Sequence, residues 1–149
     1  MAGADHTRPD HLSIIVFSGG FERVHYALAT AAASLSADIP ATLFFTMGAC
    51  RALEKSGADG EPGWRRLPLA EEAGNATARD ARFRETGLAG FEDLLAACVA
   101  LKARVMVCEM GLKALGLTLA DLRDDVPIVP GGLVTFLNDA SRHGTMLLI

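Results

Sequence analysis

A chain of 149 residues is long enough for one domain with its own core, and half of its residues are apolar against 21% charged. The formal net charge of −4 comes without a basic stretch, which excludes the footprint of nucleic-acid binding, while the apolar share excludes a disordered chain. The amino end MAGADHTRPDH lacks the apolar centre of an export signal, and the longest uncharged apolar run, Leu94 to Leu101, falls short of the roughly 20 residues of a bilayer span, so a cytoplasmic protein with no transmembrane segment is expected.

In chain order, residues 1–11 read as a flexible tail. Leu12 to Phe17 is a β-branched run closed by Ser18-Gly19-Gly20. From Glu22 to Ser36 the residues Val24, Ala27, Leu28, Ala31 and Leu35 share one helical face. Pro40 to Thr46 predicts a second strand, ending at Met47-Gly48 before a short helical piece, Ala49 to Lys55. Residues 56–88 have weak periodicity and read as a long loop or lid, with a helical turn near Ala78 to Arg84; connections longer than about 12–15 residues are usually binding loops or mobile segments. Trp64 in this loop is either a lid residue or an oligomer contact.

Helical spacing returns with Phe91, Leu94, Leu95, Cys98 and Leu101 and leads into the strand Arg104 to Cys108. A short helix at Leu112 to Leu115, a helix start at Thr118 and a short strand at Val126 to Val129 come next. Pro130-Gly131-Gly132 opens a last helix, Leu133 to Arg142, stopped by Gly144, and Thr145 to Ile149 is a terminal strand. Strands alternating with helices imply a single domain with a mostly parallel five-stranded sheet in a three-layer α/β/α arrangement, flavodoxin-like or Rossmann-like. The mean hydropathy of +0.27 points to apolar surface hidden in a contact between copies, so a homo-oligomer is expected.

In such sheets ligands bind beyond the carboxyl ends of the strands. Ser18, Gly19 and Gly20, then Thr46, Met47 and Gly48, then Cys108, Glu109, Met110 and Gly111 would all line that edge. A thiol just before a helix N-terminus feels the positive end of the helix dipole, which favours the nucleophilic thiolate; equally, a cysteine ending a Val-Met-Val strand can simply be packed. Glu109 would oppose a thiolate unless its side chain points away, as strand alternation suggests.

Cys98 lies on an apolar helix stripe, whereas Cys50 lies nearer the edge and reads as a packed residue or a second thiol. His25, early in the first helix, either donates to a substrate or orients a thiolate, or is solvated or structural. The glycine turns could hold an anion but lack the lysine of a phosphate loop. His6, His11 and His143 have no metal-ligand spacing, so no metal is expected.

The segments LSIIVFSGGFERVHYALATAAASL, PATLFFTMGA, GFEDLLAACVALKARVMVCEMGLKALGL and VPIVPGGLVTFLNDA together resemble the DsrE/DsrF-like sulfur-relay family, in particular the DsrE-like members sometimes labelled peroxiredoxin-family proteins. The most specific element is the Cys-x-Met stretch followed by Gly-Leu, here Cys108, Met110, Gly116 and Leu117. The resemblance implies a three-layer fold, homo-oligomers that are often trimers or hexamers, and a cysteine carrying sulfur as a persulfide, by position Cys108. Glu109 stands where an uncharged polar residue is expected, and Gly111 where a small hydroxyl residue is often found.

On this resemblance the expected protein is a sulfurtransferase-type sulfur carrier without cofactor, served by donor and acceptor proteins or small thiols. A thiol peroxidase is disfavoured by the lack of an obvious resolving thiol. The rival expectation is a non-catalytic oligomeric module that binds a small ligand or a partner, with Cys108 inert.

Overall fold

The computed structural model describes residues 7–149; of the expected tail, residues 1–6, including His6, lie outside the described residues. Within its remainder, Arg8 donates to the carbonyl of Ala37 and the His11 ring lies 2.9 Å from the Thr42 hydroxyl. Five strands form one all-parallel sheet: β1 (Leu12–Val16), β2 (Ala41–Phe45), β3 (Arg104–Cys108), β4 (Ile128–Gly131) and β5 (Thr145–Leu148), in the order β4-β3-β2-β1-β5. All five residues of β2 are buried, as expected where a parallel strand is covered on both faces.

The connections decide how the faces are covered. From β1 to β4 each crossover moves the chain one strand in the same direction. Right-handed crossovers then place the intervening helices on one face. These are α1 (Phe21–Ser36), α2 (Ala76–Glu85), α3 (Phe91–Ala100) and α4 (Glu109–Ala114). The last crossover steps back past β1, and α5 (Leu133–Asp139) therefore comes to the opposite face.

The buried clusters follow this division. Ile14, Val16, Leu43, Phe45, Val105 and Val107 form the main core with α1, α3 and Leu112, while Phe44, Met106, Cys108 and Phe136 form a second, smaller one. Phe136 is the one buried residue of α5. Leu133, Val134 and Leu137 of that helix, Val129 of β4 and Met146 and Leu148 of β5 are exposed.

Several sequence-based boundaries shift. The third strand leads directly into α4 rather than into a helix beginning at Leu112, and α5 ends at Asp139 rather than Arg142. The fourth strand is Ile128–Gly131, and the piece after β2 is a 3-10 helix, Met47–Leu53.

The larger correction concerns residues 56–88, expected as a mobile loop or lid. They hold a 3-10 helix, Gly63–Arg66, and the whole of α2. Trp64 is neither a lid tip nor an exposed contact: at 1% exposure it stacks on Phe91 at 4.8 Å and Phe21 at 5.6 Å, and its indole N–H donates to Glu92 at 2.8 Å. Buried indoles of this kind combine a large apolar contact with one satisfied polar atom. Asn75 caps α2 by accepting from the Ala78 N–H, and buried Asp80 accepts from the Phe91 N–H at 2.7 Å, tying α2 to the start of α3. No described helix is long and apolar enough to cross a membrane.

Candidate functional site

The carboxyl ends of β1, β2 and β3 lie side by side, so the three turns singled out in the sequence do share one edge. They meet backbone to backbone. A Cβ on Gly19 would lie 3.1 Å from the Gly48 carbonyl carbon, and one on Gly111 would lie 2.5 Å from the Met47 nitrogen. The space at Gly111 would not admit a methyl group and that at Gly19 is tighter than ordinary contact, so these glycines permit close approach of the turns rather than forming an open anion cradle. Met47 holds a left-handed φ of 47°, a conformation uncommon for a side chain of its size.

The hydroxyl of Ser18 accepts from the Gly20 N–H and closes its own turn. Gly20 faces Ala70, whose Cβ would be 2.5 Å from an added one. Thr46 is buried, its N–H donating to Val16 across the strand ends at 3.0 Å.

Cys108 ends β3 and is the N-cap residue of α4. It is nevertheless only 1% exposed, within the small cluster of Phe44, Met106 and Phe136. The sequence places the thiol at the edge correctly, but the structure roofs it. Glu109 and Met110 are exposed, so the carboxylate of Glu109 points into solvent from the first turn of α4. Gly111 is buried against the Thr46-Met47 backbone, which explains why the hydroxyl residue found in the resembled pattern has no room here.

The other thiols are held neutral. Burial, followed by the proximity of Cys108, pushes the Cys50 thiol up to about 12, and its S–H points at the Phe45 carbonyl 3.6 Å away. Cys50 belongs to the main core, a different buried cluster from that of Cys108. Burial pushes Cys98 up to about 11, and it donates to the Leu28 carbonyl.

His25 takes its partners from α2 and the segment after it. It lies 2.9 Å from the Ala89 carbonyl and 4.6 Å, ring to ring, from Phe83, which makes it a structural tie between α1 and the segment after α2. Among the described residues no group of three or more His, Cys, Asp or Glu side chains could hold a metal ion.

Two features are not legible in the sequence. The first is the aromatic roof, Phe136 stacked on Phe44 at 4.8 Å; the one aromatic residue of the last helix is its only sequence signal. The second is a polar chain at the far end of α5. The Thr42 hydroxyl donates to Asp139 at 2.8 Å, His11 meets the same hydroxyl, and Arg104 lies 3.4 Å from the other Asp139 oxygen. Partners this far apart in sequence leave no local pattern.

On the surface, Arg123 is gripped by Glu92 and Asp125. A cleft of about 500 Å³ lies beside β5, lined by Glu22, Arg23, Tyr26, Arg79, Leu148 and Ile149 among others.

An all-parallel α/β/α sheet with a thiol at its carboxyl edge defines the class. No family model matches the chain, and no curated protein does. Solved structures share the fold. A protein of unknown function, MTH1491 from Methanobacterium thermoautotrophicum, superposes with a TM-score of 0.57 at 11% identity, over 93% of this chain and 98% of that one. The YchN protein from E. coli superposes with a TM-score of 0.53 at 15% identity, over 93% and 97%.

Proposed function

We propose that this protein is a sulfur carrier of the DsrE-like kind, a sulfurtransferase in its chemistry, in which Cys108 takes up sulfane sulfur as a persulfide and relays it. The observation that carries the reading is the position of Cys108: the last residue of a central strand, capping a helix, where neighbouring strand ends converge. The family resemblance of the CEMG segment points to the same residue. Cys50 and Cys98 are held as neutral thiols, unsuited to nucleophilic attack.

In the reaction the Cys108 thiolate attacks the outer sulfur of a donor R–S–SH, the donor S–S bond breaks, and RS⁻ leaves. Cys108 then carries S–SH. An acceptor thiolate attacks that outer sulfur, forms R′–S–SH and restores the Cys108 thiolate. The acceptor is a protein or a small thiol.

The working form is a cytoplasmic homo-oligomer. Support comes from the exposed apolar residues Leu133, Val134, Leu137, Met146 and Leu148 beside the thinly covered sheet face.

The test is transfer of sulfur from a polysulfide to a small acceptor thiol, followed as product persulfide. Wild type should exceed the uncatalysed rate and Cys108→Ser should match it; equal rates for the two proteins would remove the proposal.

A second reading, ligand binding without catalysis, is favoured by the cleft of about 500 Å³ beside β5, at the crevice where the strand order reverses. It requires a small-molecule screen to return a ligand whose affinity survives Cys108→Ser and is lost in Arg23→Ala.

A further inference from the structure

The two edges of the sheet are finished differently. β4, at one edge, follows Pro127 and contains Pro130, and a proline has no N–H to offer a further strand. β5, at the other edge, reads TMLL and carries neither a proline nor a charge. Among the described residues no strand pairs with its outer side.

The ladder with β1 fixes which backbone groups face outward. Thr145 donates to the His11 carbonyl and Ile149 to the Ile15 carbonyl, each at 2.9 Å. With the two-residue period of a strand, the N–H and C=O groups of Thr145, Leu147 and Ile149 therefore face β1, and those of Met146 and Leu148 face the open edge. An edge without blocking residues is a template for one more strand.

The chemistry of this edge suits a second copy of itself. A two-fold axis perpendicular to the sheet sets β5 antiparallel to the β5 of another copy, with Met146 of each opposite Leu148 of the other, and every outward N–H then meets an outward C=O. The charges just outside the strand agree. Exposed Arg142 precedes β5, whereas the cleft at its carboxyl end holds three carboxylates, Glu22, Glu71 and Glu72, against the two guanidiniums of Arg23 and Arg79. Antiparallel pairing brings the Arg142 end of each copy to the acidic end of the other; parallel pairing would set like beside like.

We propose that β5 is a self-pairing edge, joined antiparallel to the β5 of a second copy about Leu147, so that one continuous sheet runs through both copies with the thin faces on the same side. The proposal rests on the homo-oligomer reading and assigns a backbone contact distinct from the apolar face of α5.

The experiment is amide hydrogen exchange resolved to single residues, run beside sedimentation velocity over a range of protein concentrations. In the associated protein the Leu148 amide should exchange about 100-fold or more slowly than an unprotected amide and lose that protection on dilution to monomer. The Leu147 amide, which faces β1, should stay protected at both concentrations. Met146→Pro removes an outward N–H and leaves the ladder with β1 its donors; it should release the Leu148 amide at every concentration, lower the sedimenting mass and leave Leu147 unchanged.

A Leu148 amide that exchanges freely in a sample shown to be associated would overturn the edge pairing and leave the homo-oligomer reading to the α5 face. Protection that persists in the monomer would overturn it too, because the chain would then cover its own edge. A protein that stays monomeric throughout would remove both the pairing and the homo-oligomer reading.

Discussion

Gly111 and Cys50 share one small space: a Cβ on Gly111 would lie 2.5 Å from the Met47 nitrogen and 3.1 Å from the Cys50 sulfur. Because the closer neighbour is backbone, it cannot step aside. Gly111→Ala should therefore destabilise the fold by about 1–3 kcal/mol, read as a lower midpoint in urea, and a neutral result would mean the turns are not in contact. The Cys50 thiol, raised to about 12 by burial and by Cys108, gives a pH signature.

An acid whose folded pKa is raised contributes stability that is fully present below its unfolded pKa and is lost as pH climbs toward the folded one. Melting temperature should fall from about pH 9 to about pH 12. Cys50→Ala should start lower because of the cavity it leaves, yet fall less steeply. Parallel curves would show that Cys50 is not among the groups responsible. The thiols are visible in the sequence, but their burial is set by packing between distant segments.

At the scale of elements, α1, α3 and strands β1 to β3 are legible because their apolar residues are continuous or periodic and buried in the core; β4 and β5 are legible only as short apolar runs between turn residues. The segment between Ser56 and Leu88 is not. In α2 only Ala76 and Asp80 are buried, so the helix has no apolar stripe to betray it, and it is held by a cap and by Asp80 at the start of α3. Trp64 anchors the rest of the segment between Phe21 and Phe91, a contact visible only once the chain has folded. Trp64→Ala should cost about 3–5 kcal/mol, checked by denaturant titration; a loss well under 1 kcal/mol would mean the segment is not part of the core.

The Glu92 carboxyl, which burial alone would raise, is instead held below its ordinary range by hydrogen bonds from Arg123 and Trp64, and the Arg123 side chain likewise lowers Asp125. A depressed carboxyl contributes stability above its unfolded pKa that is lost as pH falls through its folded pKa. Acidification below about pH 4.5 should therefore lower the melting temperature of wild type more steeply than that of Arg123→Met.

For the whole molecule, topology rather than composition makes one sheet face thick and the other thin. Four crossovers in chain order, the last reversing direction, leave α5 alone on the side where Cys108 sits. The sequence order of elements dictates the parallel sheet, whereas the strand order, and hence the thin face, is set by pairings between distant segments. In the proposed homo-oligomer the apolar residues left exposed there form the interface: Leu137→Asp should shift the protein toward monomer in sedimentation velocity, and an unchanged distribution would place any interface elsewhere.

The same thin face makes Cys108 the residue on which the proposed function turns. The most direct measurement is the intact mass of wild type and Cys108→Ser after exposure to a polysulfide donor, before and after a reductant. Wild type should gain whole sulfur atoms, about 32 Da each, that the reductant removes, and the variant should gain none. An unmodified wild type, or equal labelling of the two proteins, would contradict a sulfur-carrying Cys108.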